Sequence, residues 1–590
     1  MTVSETRTTP TPASARPRNG LGRYLPFLDW LLHYRRQDLT GDLLAGIIVT
    51  IMLVPQSMAY ALLAGLPPQV GLYASILPLI VYGLLGSSRV LAVGPVAIVS
   101  LLVATGISPL AEQGGPEYVQ LALTLALLVG IVQLIMGVVR LGFLVNFLSH
   151  PVLSGFTSAA AIVIGFSQVK HVLGFRVPRT EYFYQRVLYT LNHLGETNLV
   201  TLVIGLGSIG LLLFFKYKLG GLLRRWGLKE TLIMPITKSA PLVVVLVSTL
   251  AVWGFRLHQG AGVAIVGGVP AGLPPLTMPT LDPSIWQLLL PTALAISFVG
   301  FMESISVAKS LASKRRQKVD ADQELVALGA ANLAATFTGG YPVTGGFSRS
   351  VVNFAAGAQT GLASIVTALL IALTVIFLTP LFYFLPKAVL AAIILVAVAN
   401  LFDFKTVKHT WRYSKADFAS LVVTFVAVLA IGVEKGILAG VATAILLFLW
   451  RTSRPHIAVV GRVGDSEHFR NVLRHEVQTC PHVLAIRVDQ SLYFANTQYL
   501  ETAILQMVAD NPRVKHLVLI FSAVNFVDAS ALETLEELNR ELGDAGVTLY
   551  FAEVKGPVMD RLKAIGFVDE IGPERFFLST HQAMRQLECV

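Results

Sequence analysis

The chain has 590 residues, of which 54% are hydrophobic and only 14% charged, against roughly 25% charged in an average soluble domain. That composition excludes an ordinary soluble protein and predicts an α-helical membrane protein whose solvent is largely membrane lipid. The 45 Lys and Arg outnumber the 35 Asp and Glu, but the excess sits in short loops rather than in one basic stripe, which argues for membrane orientation and against nucleic acid.

Residues 1–20 are rich in Thr, Pro, Ser and Arg and contain no apolar core of signal-peptide type. The first long apolar run, near 43–66, lacks a small-residue cleavage site, so a cytoplasmic tail is expected over residues 1–36. Apolar segments then recur near 43–66, 70–86, 91–106, 119–138, 143–169, 196–215, 237–255, 286–308, 321–338, 347–358, 361–384, 388–402, 416–433 and 435–450. This gives about 14 segments, some shorter than the ~20 residues a full span needs, within an expected transmembrane domain over 37–454. With a cytoplasmic N-terminus, the even-numbered connections carry Arg89, Arg140, the Lys216 to Arg225 cluster, Lys309 to Lys318, Lys405 to Lys415, and Arg451 with Arg454. Most odd-numbered connections are poor in Lys and Arg, as a multi-pass inner-membrane protein with both termini in the cytoplasm requires. One odd connection departs from the rule and holds Lys170, Arg176, Arg179 and Arg186.

The segments fall into two halves, opening near Asp42 and Trp286, and the third segment of each half is short and broken. In the first half the break is Gly94-Pro95, heading Val96 to Gly106; in the second it is the Gly345-Gly346 stretch after Pro342, followed by Ser348 to Ala358. Membranes tolerate such breaks only where backbone is buried in protein or lines water. Two half-helices at matching positions would aim their N-terminal dipole ends at one negative ligand near mid-membrane. Arg349 lies on the second of them, and an ionisable group at that depth is a functional candidate by default. A structural ion pair with Glu303 is its rival role. Gln56 and Tyr60, spaced i and i+4 on the first segment, suit a cavity wall or interhelical hydrogen bonding.

After Arg454 the pattern changes to strand-like Val483–Val488, helix-like Thr497–Ala509, strand-like His516–Phe521, a helix from Ser530 to Leu542, and strand-like Val547–Phe551. A cytoplasmic α/β domain is expected over 455–590. Its two cysteines, Cys480 and Cys589, are the only ones in the chain and suggest neither a disulfide framework nor a metal site. Ser530-Ala531-Leu532-Glu533 reads as a capping box. Lys314-Arg315-Arg316 reads as a solvated topology determinant.

Several long stretches resemble one family in the right order. They are Asp42 to Gly46, Val54-Pro55-Gln56-Ser57-Met58-Ala59-Tyr60-Ala61, Leu66 to Ser75, Gly86 to Arg89, Phe301 to Lys309, Asp320 to Leu325, and Pro342 to Asn353. Together they resemble the sulfate permease (SulP) family, and Asn525 to Ala531 resembles the STAS domain that terminates those transporters. The resemblance implies about 14 transmembrane segments in a seven-plus-seven inverted repeat, divided into core and gate domains, usually a homodimer. It places Gln56, Tyr60, Gly94, Val96, Ala97, Gly346, Phe347, Ser348 and Arg349 around the anion and implies that Glu303 couples transport to protons. Ser530 matches a serine phosphorylated in free-standing antagonists, so it is either a regulatory site or a cap.

The expected function is secondary active transport of an inorganic anion, sulfate entering with protons. Alternatives are sodium- or proton-coupled bicarbonate or dicarboxylate transport, anion exchange, or a membrane-tethered STAS receptor with a cytoplasmic partner. The chain lacks G-x-x-x-x-G-K-[ST], which disfavours direct ATP-driven pumping. A neutral nucleobase would give no reason for Arg349. No catalytic residue, cofactor or metal is expected.

Overall fold

Fourteen helices carry the apolar part of the chain in this computed structural model, which describes residues 25–143, 149–178 and 183–589 and divides into two compact units after Val441. In the first half they are α1 (Arg36–Leu63), α2 (Leu77–Leu85), β1 (Val93–Gly94), α3 (Ala97–Ile107), α4 (Pro116–Val138), α5 (His150–Leu173), α6 (Leu199–Phe214) and α7 (Ala240–Gly254). The second half repeats the order with α8 (Pro283–Lys314), α9 (Ala321–Phe337), β2 (Thr344–Gly345), α10 (Phe347–Ala355), α11 (Leu362–Phe377), α12 (Lys387–Val398), α13 (Lys415–Ile431) and α14 (Val433–Thr452). Among the described residues eight helical spans are long and apolar enough to cross a bilayer, nine if the bent pair Leu232–Lys238 and Ala240–Gly254 is one span. The remaining segments are short or broken, α3 and α10 above all. The expected Arg179 and most of the expected tail lie outside the described residues. Within that tail Pro26–Leu32 form a helix, and Asp29 pairs with Arg89 at 3.1 Å.

Local chemistry explains the helix boundaries. The Asp282, Asp320 and Ser414 side chains accept backbone N–H groups at the starts of α8, α9 and α13, replacing acceptors that the first turn lacks. Two buried carboxylates bind loops of the opposite half. Asp42 accepts the Gln359 and Thr360 amides at 2.7 and 3.1 Å and the Thr360 hydroxyl at 2.6 Å. Glu324 accepts the Tyr82 hydroxyl at 2.7 Å, both the Ser87 amide and hydroxyl, and the Ser88 amide. Both carboxylates belong to the family-like stretches, and their full complement of donors offsets their burial. Arg315 departs from its expected solvated role. Its guanidinium donates to the Phe354 carbonyl in the last turn of α10 and to the Ala358 carbonyl just past it, and stacks 4.4 Å over the Phe354 ring, where a cation complements the helix dipole.

The C-terminal unit is built on one sheet formed by β3 (Ile457–Arg462), β4 (Phe469–Asn471), β5 (Val483–Val488), β6 (His516–Ile520), β7 (Thr548–Ala552) and β8 (Phe576–Phe577), in spatial order β4-β3-β5-β6-β7-β8. The first two pairings are antiparallel; β5 to β8 run parallel, with Val483 opposite His516 and His516 opposite Thr548. Parallel neighbours need crossovers, supplied by α15 (Thr497–Ala509), α16 (Ala529–Asp544) and α17 (Gly556–Ala564). Alternation sends Ile486, Leu517, Leu519 and Phe551 into one core with Leu500, Leu535 and Val558 from those helices. Ala485, Val518 and Ile520 face the other side, where Ala583 and Met584 of α18 (Thr580–Gln586) cover the sheet.

Two sequence expectations for this unit are corrected. Cys480 and Cys589 form a disulfide across 109 residues, with Cα atoms 5.7 Å apart. Seating α18 on the sheet brings the chain end to the start of β5, a proximity that two isolated cysteines in a sequence do not reveal. His482 stands beside both sulfurs, at 3.5 Å from Cys480 Sγ and 3.4 Å from Cys589 Sγ. The capping residue of α16 is Asp528, whose carboxylate accepts the Ala531 amide at 2.9 Å. Ser530 instead lies in the first turn, because the helix begins one residue earlier than expected.

Candidate anion-binding site

β1 and β2 pair antiparallel, Val93 opposite Gly345 and Gly94 opposite Thr344, so the two broken segments meet head to head. Gly346 N–H adds a bond to the Ala92 carbonyl at 3.0 Å. The chain then turns immediately into α3 and α10, and neither helix has a side-chain cap. Their first N–H groups therefore have no intrahelical acceptor, and both positive dipole ends are left for a ligand.

Arg349 lies at the start of α10, 2% exposed. Its Nη1 donates to the Pro95 carbonyl at 2.5 Å, pinning the guanidinium against the opposite half-helix. Its Nε and Nη2 have no partner among the described residues. Buried donors are almost always satisfied, and a buried guanidinium with two open donor atoms is suited to a planar fork around an oxyanion. Glycine on both sides leaves room for the guanidinium. A Cβ on Gly346 would stand 2.9 Å from Nη2 and one on Gly94 3.4 Å from it, with Gly94 also at φ +146.

The surrounding side chains hold this arrangement. Ser350 accepts the Ala92 amide at 2.9 Å and donates to the Gly346 carbonyl at 2.8 Å. Ser304 on α8 bonds the Thr344 hydroxyl at 2.7 Å and accepts the Gly345 amide at 2.8 Å. Asn332 on α9 accepts the Val343 amide at 2.8 Å and donates to its carbonyl at 3.1 Å.

Of the sequence candidates, Gln56, Tyr60, Gly94, Val96, Ala97, Gly346 and Arg349 are buried, while Phe347 and Ser348 are exposed. Neither the Gln56 amide nor the Tyr60 hydroxyl has a partner among the described residues, and Tyr60 lies within electrostatic range of Arg349. Glu303 lies within the same range. It makes no ion pair with Arg349 among the described residues, and its Oε2 has no hydrogen-bond partner there. Sequence reasoning missed Tyr341 and Ser100. Tyr341 is fully buried, bonds the Ser100 hydroxyl at 2.9 Å and joins Tyr60 and Glu303 around Arg349. Its position immediately before Pro342 was the available signal. Ser530 lies outside this site, in the C-terminal unit.

Comparisons with known proteins identify the family and the fold. Residues 39–424 match the sulfate permease family and residues 474–583 match the STAS domain. The chain is similar to probable sulfate transporter 4.2 of Arabidopsis thaliana, 38% identical over 573 residues covering 95% of this chain and 83% of the relative. It is also similar to high affinity sulfate transporter 2 of Stylosanthes hamata, 33% identical over 96% of this chain and 86% of the relative. Among solved structures, the murine anion transporter Slc26a9 in an inward-facing state superposes with a TM-score of 0.89 at 27% identity, covering 99% of this chain and 97% of that one. The transmembrane domain of the cyanobacterial bicarbonate transporter BicA shares the fold over 70% of this chain and 98% of that one, with a TM-score of 0.58 at 21% identity.

Proposed function

The chain belongs to the sulfate permease family, and from that premise we propose that it is a secondary active carrier that moves sulfate together with protons. It is an anion transporter and not an enzyme. The observation that carries the reading is the buried Arg349 guanidinium, two of its nitrogens unpaired, between two uncapped half-helix N-termini. Phe347, Ser348, Val96 and Ala97 contribute backbone N–H groups to the anion, and Gln56 and Tyr60 supply neutral donors from α1. Such a set suits a tetrahedral oxyanion, which accepts from several directions at once.

Glu303 is the proposed coupling group. Ionised, it compensates Arg349 electrostatically in the empty site. A divalent anion leaves the buried site with excess negative charge, which protonation of Glu303 reduces. Anion and proton then bind cooperatively, each raising the affinity for the other by the same factor. The names of the sulfate-transporting relatives support the choice of anion.

In this reading residues 1–36 form a tail, 37–454 the transporter and 455–590 the STAS domain, with both termini cytoplasmic in the inner or plasma membrane. The carrier works as a homodimer, and its STAS domain serves assembly or contact with a cytoplasmic partner. Uptake of radiolabelled sulfate into proteoliposomes, with and without an inward proton gradient, tests the proposal. Gradient-stimulated uptake is expected. Uptake that requires sodium instead would favour bicarbonate-type coupling and overturn proton symport.

A further inference from the structure

A cavity of about 700 Å³ lies inside the membrane unit beside the ends of α1 and α3, with α5, the helix Phe183–Asn192 and the α13–α14 turn as its far wall. Three basic side chains line it, Lys170, Arg186 and Lys435, together with His171. Lys387 adds to the repulsion felt by Lys170 and His171. Among the described residues the one carboxylate in the lining, Glu434, is already engaged by the Thr292 hydroxyl at 2.6 Å. Lys170, Arg186 and Lys435 make no side-chain hydrogen bond or ion pair among the described residues. Among the described residues these like charges are gathered without a free counter-charge, which is unfavourable, so the cluster suits an anion from solution.

Position gives the cluster a use. Leu62 and Leu63 in the wall lie within one turn of Tyr60, and Leu101, Ala104 and Thr105 line the cavity from α3, whose opposite end meets Arg349. The cavity therefore faces the carbonyl end of that half-helix, whose partial negative charge repels anions. The cations oppose that partial negative charge. Lys170 and Arg186 are also two of the residues that break the expected charge pattern of the connecting loops, so the positive-inside bias does not account for them.

Building on the reading of the protein as an anion carrier, we infer that this cation-lined cavity is a capture vestibule, which concentrates the transported anion on the side of the membrane where the α13–α14 turn lies before it passes Tyr60 to Arg349. Focusing of this kind raises association rates by about 10- to 1,000-fold and weakens with salt.

The test uses the full chain in proteoliposomes of uniform orientation, with radiolabelled sulfate presented to one face at a time. In the double variant Lys170→Gln with Arg186→Gln, KM on the vestibule side should rise by about tenfold at low ionic strength, with the maximal rate unchanged and the salt dependence flattened. KM from the opposite face should stay at the wild-type value, and Lys170→Arg with Arg186→Lys should restore the wild-type behaviour. An unchanged KM and salt slope, or an equal rise on both faces, would overturn the vestibule. If the wild type moves no sulfate, the same comparison is made with bicarbonate and chloride. Transport of none of the three would overturn the anion reading and the vestibule with it, whereas transport with unaltered KM in the double variant overturns the vestibule alone.

Discussion

Arg349→Ala removes the only full positive charge between the two half-helices among the described residues, and its effect on binding can be sized from the geometry. Nε and Nη2 are the two guanidinium atoms free to meet an anion, since Nη1 is held by the Pro95 carbonyl. Hydrogen bonds to charged groups contribute about 1.5–3 kcal/mol each, so two of them amount to about 3–6 kcal/mol. That corresponds to a loss of about 100- to 10,000-fold in affinity. The helix dipoles left behind supply about 0.3–2 kcal/mol each, too little to compensate. Arg349→Lys keeps the charge but neither the fork nor the Pro95 anchor, and should fall between wild type and alanine. The assay is equilibrium binding of radiolabelled sulfate to purified protein that elutes as wild type on size exclusion, which separates binding from folding. An alanine variant binding sulfate within threefold of wild type would refute the placement of the anion at Arg349.

Three further outcomes concern the C-terminal domain in the intact protein. Asp528→Ala should lower its stability by about 0.5–2 kcal/mol through loss of the α16 cap, read by thermal unfolding, whereas Ser530→Ala should change it little; the reverse ranking would restore Ser530 as the cap. Cys480→Ser, or reduction, opens a 109-residue loop and should cost about 2–5 kcal/mol, so equal melting temperatures with and without reductant would contradict a structural disulfide. Burial, with help from His482 and Lys515, holds His516 below the usual histidine range. The unfolded chain therefore binds more protons near pH 6, and stability should fall as pH drops below the ordinary histidine range; a slope unchanged in His516→Gln would remove His516 as its source.

Much of the architecture was legible because membrane burial writes itself into long apolar runs. The half-helices were legible for a different reason: Gly94-Pro95 and Gly345-Gly346 interrupt those runs at matching places, and Arg349 sits just beyond the second. What stayed hidden depends on contacts between distant segments. β1 and β2 are two residues each and show no alternation, so their pairing leaves no periodic trace. Tyr341 and Ser100 look like ordinary membrane residues until the halves are brought together. Asp528 and Ser530 are both good capping residues, and only the backbone path into α16 distinguishes them. The seat of α18 on the sheet stayed hidden because Cys480 and Cys589 gave no hint of each other.

The central claim, that Glu303 beside Arg349 couples sulfate to protons, is tested most directly by Glu303→Gln in proteoliposomes. Glutamine imitates the protonated carboxyl, so the variant should still bind sulfate and exchange it across the membrane, yet its net uptake should no longer accelerate under an inward proton gradient. Gradient-driven uptake at the wild-type level in Glu303→Gln would contradict the claim.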